Sequence, residues 1–66
     1  MGEKIYNWIV ERLNEGRTCY ATTYLRSIKI TKKNLDAGLV RLHNGHCEIA
    51  RGKQWDSINF CKITAA

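Results

Sequence analysis

The chain has 66 residues, is 44% hydrophobic, and carries 11 basic against 6 acidic side chains for a formal charge of +5. A chain this short buries only about 60% of the surface its unfolded form exposes, so it makes one domain over residues 1–66 and cannot enclose a deep catalytic cavity beside its core. The apolar share excludes disorder, and no run approaches the ~20 apolar residues of a membrane span.

The charge is unevenly spread. Residues 1–16 set Lys4 and Arg12 against Glu3, Glu11 and Glu15, for a net −1. Residues 17–53 set Arg17, Arg26, Lys29, Lys32, Lys33, Arg41, Arg51 and Lys53 against Asp36 and Glu48, for a net +6. A concentrated basic surface attracts polyanions and speeds encounter with them; the plainer alternative is a charged surface that only keeps the protein in solution. Cys19, Cys47 and Cys61 cannot all pair within one chain, which fits a reducing compartment. No uncharged apolar run comes after the first basic residue as in a secretory signal, so the expected location is the cytoplasm.

Residues 3–15 predict a helix, because Ile5, Trp8, Ile9 and Leu13 recur on one helical face and Gly16 is a stop. Tyr6 and Val10 on its flank widen the core face or supply a homodimer contact. Residues 18–28 predict a second helix with Thr18 as cap and Tyr24, Leu25 and Ile28 as its apolar face. The β-branched Thr22 and Thr23 leave a strand open there. Residues 31–44 predict the third helix, capped by Thr31, with Leu35, Leu39 and Leu42 buried and Asn44-Gly45 as its stop. Gly38 inside that helix costs about 1 kcal/mol relative to Ala. Residues 46–63 predict a β-hairpin turning at Gly52. The expected core is Ile5, Trp8, Ile9, Leu13, Leu25, Ile28, Leu35, Leu39, Leu42, Ile49, Ile58 and Phe60.

The segment Tyr24-Leu25-Arg26-Ser27-Ile28-Lys29-Ile30-Thr31-Lys32-Lys33-Asn34-Leu35, with Leu39 and Leu42 and then Asn44-Gly45-His46-Cys47-Glu48-Ile49 after it, resembles the winged helix-turn-helix domains of small bacterial and phage transcriptional regulators. Lys29 departs from that pattern, where Gly is common. The resemblance implies an α+β fold of three helices and then a β-hairpin wing. It also implies sequence-specific binding of double-stranded DNA, in the nucleoid.

With the three leucines inward, the third helix turns Lys32, Lys33, Asp36, Ala37, Val40 and Arg41 toward a major groove, with Thr31 at its start and Asn34 at the edge of that face. Lys can donate to guanine and Asn can pair with adenine there. Arg51 and Lys53 flank the wing turn and suit backbone or minor groove; Arg17 and Arg26 suit flanking phosphates. Two other readings come from different classes: a small module that binds a protein, and a non-specific or RNA-directed nucleic-acid binder.

Enzyme chemistry is not expected. His43, His46 and Cys47 lie close together, but their spacing lacks the matched ligand pairs of a zinc site. No Cys–His nucleophile, carboxylate pair or Gly-rich phosphate loop is present, so neither catalytic residues, a cofactor, a metal nor a small-molecule substrate is expected.

Overall fold

The computed structural model describes all 66 residues. Helix α1 (Gly2–Asn14) forms where the apolar stripe places it, with Ile9 and Leu13 buried and Ile5 and Trp8 packed against the core. It ends when Gly16 N–H donates to the Leu13 carbonyl and Arg17 N–H to that of Arg12. These are the two bonds of a Schellman stop.

The second expected helix, 18–28, is not a helix. It is a hairpin of strands β1 (Cys19–Thr22) and β2 (Ser27–Ile30), paired antiparallel with Cys19 opposite Ile30 and Thr22 opposite Ser27. The segment alternates with period two: Cys19 and Ala21 on one strand share a face with Ile28 and Ile30 on the other. Thr22 and Thr23, which crowd a helix, suit a pleated strand and a turn. Thr23 closes the turn itself, its hydroxyl accepting from the N–H groups of Leu25 and Arg26 at 3.2 Å.

The third expected helix, 31–44, is cut to a short α2 (Lys32–Asp36). Its cap is as expected: the Thr31 hydroxyl accepts from Asn34 N–H, and the Asn34 side chain accepts from Thr31 N–H at 2.9 Å. Gly38 is not a costly interior residue but the stop. It sits at φ 76°, its N–H donating to Leu35 and that of Leu39 to Asn34. The chain then enters strand β3 (Val40–His43), turns at Asn44-Gly45 with both residues at positive φ, and returns as β4 (His46–Arg51). Asn-Gly is a helix stop in one context and the strongest two-residue hairpin turn in another.

The expected wing hairpin is present in its first half, as β4 turning at Gly52-Lys53 into β5 (Gln54–Ser57). Its second half is not: residues 58–61 form a connection, and β6 (Lys62–Ala65) pairs with β1 instead. The winged helix-turn-helix architecture is therefore overturned. The molecule is α+β, with one long helix and two antiparallel three-stranded sheets, ordered β2-β1-β6 and β3-β4-β5.

Both sheets turn one face inward. Ile9 and Leu13 of α1 meet Cys19, Ala21 and Ile30 from the first sheet and Val40, Cys47 and Ile49 from the second, with Ile58 of the β5–β6 connection completing the core. Asn59 is buried beside them. Its side chain accepts from Cys47 N–H at 2.9 Å and donates to the Gly45 carbonyl at 3.1 Å, fastening that connection to the β3–β4 turn. Four members of the expected core lie elsewhere: Leu25 is 78%, Phe60 86%, Leu39 40% and Leu42 39% exposed. Leu39 and Leu42 belong to a strand and its approach, so the helical stripe that would have buried them does not exist.

Candidate nucleic-acid interface

Strand alternation positions the outer face of the first sheet. Since Cys19 and Ala21 point into the core, Tyr20 and Thr22 point out, and the register carries their neighbours with them. Tyr20 on the central strand lies between Lys29 of β2 and Thr64 of β6; Thr22 lies between Ser27 and Lys62. Tyr20 is half-buried and the other five are exposed. Lys29 and Lys62 stand on opposite edge strands, two residues out of step, about 12 Å apart by strand spacing and rise. No carboxylate lies on this face.

The ion pairs separate the cations into two groups. Arg12 and Arg17 meet Glu15, Arg26 and Arg51 share Asp56, Lys32 meets Asp36 and Arg41 meets Glu48. Lys4, Lys29, Lys33, Lys53 and Lys62 take part in no ion pair. Of these, Lys29 lies beside Tyr20 and Lys62 diagonally from it on one open sheet face.

The residues expected to read DNA fall into a cluster on α2 and its caps and a scattered remainder. Thr31 and Asn34 are occupied in capping α2, with the Asn34 carbonyl oxygen also 3.0 Å from the Thr31 hydroxyl. Lys32 is tied to Asp36 at 2.7 Å, Ala37 is the C-cap, and Lys33 is exposed and unpaired. A helix of this length has no surface to lay along a groove. Arg41 sits on β3, stacked 3.8 Å over the Trp55 ring with its Nε donating to Glu48 at 2.8 Å. Arg17 donates to the Ala65 and Ala66 carbonyls and so holds the end of β6. Lys53 is exposed in the β4–β5 turn. Arg26 and Arg51, distant in sequence, are brought together on the Asp56 carboxylate at 2.8 and 2.7 Å. The hydrogen bond from Arg51, with that from Arg26 behind it, holds Asp56 below the usual carboxylate range against a smaller opposing effect of burial.

On sequence, an exposed Tyr20 counts toward a protein-binding module, and Lys62, Thr64 and Lys29 are given no binding role. A signal was present: polar Tyr20, Thr22, Ser27, Lys29, Lys62 and Thr64 alternate with apolar Cys19, Ala21, Ile28, Ile30, Ile63 and Ala65.

The remaining chemistry is sparse. Burial pushes the Cys47 thiol up to about 11, with Glu48 adding to the shift, and burial also raises Cys19 and Cys61. Thiols raised in this way are not activated nucleophiles. No three His, Cys, Asp or Glu side chains gather as metal ligands. A shallow groove of about 230 Å³, lined by Lys4, Ile5, Trp8 and Ile63, lies between α1 and β6. That is below the size usual for small-molecule sites. No helix is long and apolar enough to cross a membrane.

No family model, no curated protein and no solved structure matches this chain.

Proposed function

We propose that the protein binds nucleic acid through the outer face of the first sheet. The observation that carries this reading is Tyr20 on the central strand with Lys29 and Lys62 on the two strands beside it, both cations free of carboxylate partners. The ring offers a π-face to a base, the lysines offer charge to phosphates, and the hydroxyls of Thr22, Ser27 and Thr64 offer hydrogen bonds. The net +5 adds long-range attraction to the encounter. Insertion of a recognition helix has no part in this reading, because the helix it requires is absent. Sequence-selective control of transcription would be a finer use of the same face.

Fluorescence anisotropy with labelled oligonucleotides at several salt concentrations tests it. Lys29→Ala and Lys62→Ala should each lower the slope of log affinity against log salt by about 0.7–0.9 units. Arg41→Ala, on the other sheet, should leave that slope unchanged. Absence of binding at low salt, or equal effects from all three substitutions, would exclude this face.

A further inference from the structure

The end of the first sheet holds three large apolar side chains in water. Tyr24 is 96%, Leu25 78% and Phe60 86% exposed. Thr22 opposite Ser27 and Thr22 opposite Lys62 are the last rungs of the two ladders, so the 23–26 turn and the chain before Lys62 leave the sheet at this same end. The turn is firmly built. Thr23 N–H donates to the Arg26 carbonyl at 2.8 Å, the Thr23 hydroxyl accepts from two further N–H groups, and the Arg26 guanidinium is anchored on Asp56 at 2.8 Å. Tyr24 and Leu25 are thus held outward by an ordered turn. Asp56, the carboxylate tied to this turn, is already shared by two arginines, and Lys62 is unpaired.

From this we infer that the occupant of the Tyr20 face is single-stranded nucleic acid, whose bases continue from Tyr20 onto Tyr24 and Phe60 at the tip. The inference rests on the reading above and names its substrate class. In a duplex the bases stack on each other and show only their edges, so protruding rings would find no partner; a single strand leaves every base a free π-face. Binding by charge alone would require lysines but no exposed aromatic rings at the end of the same sheet. The unpaired cation nearest the tip, Lys62, lies between the Tyr20 row and Phe60, where a phosphate joining two stacked bases would fall. Stacking is tolerant of base identity, so little sequence preference is expected.

The test compares wild type, Tyr24→Ala, Tyr24→Leu, Tyr24→Phe and Phe60→Ala on a labelled single strand, on its matched duplex, and on vesicles of anionic phospholipid. Both positions are solvent-facing, and circular dichroism melts establish that each variant folds. Wild type should prefer the single strand. Tyr24→Ala, Tyr24→Leu and Phe60→Ala should each weaken single-strand binding by about 5- to 150-fold and leave duplex binding unchanged. Tyr24→Phe should retain it, because the ring remains. Equal binding of both nucleic acids, indifferent to the tip variants, would overturn the single-strand inference while leaving nucleic-acid binding standing. Binding of neither would overturn both. Retention by Tyr24→Leu, or vesicle binding that the alanine variants abolish, would show that the tip serves apolar insertion and would also overturn it.

Discussion

Each sheet turns one face to α1 and the other to water, yet the charges on the two outer faces are disposed differently. On the second sheet Arg41 stacks on Trp55 and donates to Glu48, His43 lies 3.7 Å from the same carboxylate, and His46 is 2.9 Å from the Ser57 hydroxyl. Cation, aromatic and carboxylate there satisfy one another. On the first sheet Tyr20 stands beside Lys29 and diagonally from Lys62, and none of the strand residues on that face is a carboxylate. Glu48, whose side chain is largely covered, neutralises Arg41, and its charge repels any phosphate approaching that guanidinium. Similar residue types therefore make a closed surface in one place and an open one in the other, and the partners decide which.

The largest effect should come from the element both sheets share. Ile9 is fully buried between them, and Ile9→Ala should cost about 2–5 kcal/mol in a urea or thermal melt. Leu39→Ala should cost much less, since Leu39 is 40% exposed; equal damage from the two would restore the long third helix.

The next substitution makes the first face resemble the second. Lys29→Glu places a carboxylate opposite Tyr20 and should weaken nucleic-acid binding by about tenfold or more without changing the melt. A smaller, purely structural effect is expected at Gly38, where α2 stops and the second sheet begins. Gly38→Ala meets no neighbouring atom, so only its φ of 76° is penalised, at about 1–2 kcal/mol, and binding on the first sheet should persist.

Glu48→Gln tests the comparison from the other side. It releases Arg41, and the salt slope should steepen by at most about 0.7–0.9 units if the new cation is used.

The smallest effects concern pH. Asp56, between Arg26 of the β1–β2 turn and Arg51 of β4, has its folded pKa lowered. Its contribution to stability is therefore complete above the unfolded carboxylate value of about 3.9 and is lost as pH falls through the lower folded value. Asp56→Asn should flatten the acid limb of a stability–pH curve. Cys47 acts at the alkaline end with the opposite sign. Its thiol is raised from 9.0 to about 11, so the stability it protects is full below 9.0 and lost as pH rises toward 11. Cys47→Ala should lessen that decline, the raised Cys19 and Cys61 supplying the rest.

Particular residues show why some elements were legible and others were not. The spacing of Ile5, Trp8, Ile9 and Leu13 has only one regular solution, and α1 is it. Gly52 between alternating residues likewise marked the β4–β5 turn. In residues 18–28, the apolar Tyr24, Leu25 and Ile28 match a helical face by sequence spacing, although two of them stand in water on a turn. Gly38 and Asn44-Gly45 are special positions on sequence alone, but positive-φ dihedrals end a helix or close a hairpin according to the pairing partners of the flanking chain. Of the expected groove-reading set, Thr31 to Ala37 stay together on α2 and its caps, while Val40 is buried in the core and Arg41 lies on β3, because that set depended on a helix running through Gly38.

The local chemistry of the chain determined its long helix, the Thr31 cap, the places where the backbone must turn, and the excess of positive charge. The tertiary structure alone decided that β6 lies beside β1. Ile63 and Ala65 pair across from Ala21 and Cys19, which lie far earlier in the chain. No local propensity encodes that pairing; burying those side chains under α1 selects it, and period-two alternation then sends Lys62 and Thr64 to the outer face beside Tyr20 and Thr22. Which cations remain free was settled in the same way, since a cross-strand neighbour such as Glu48 for Arg41 exists only once the sheet has formed.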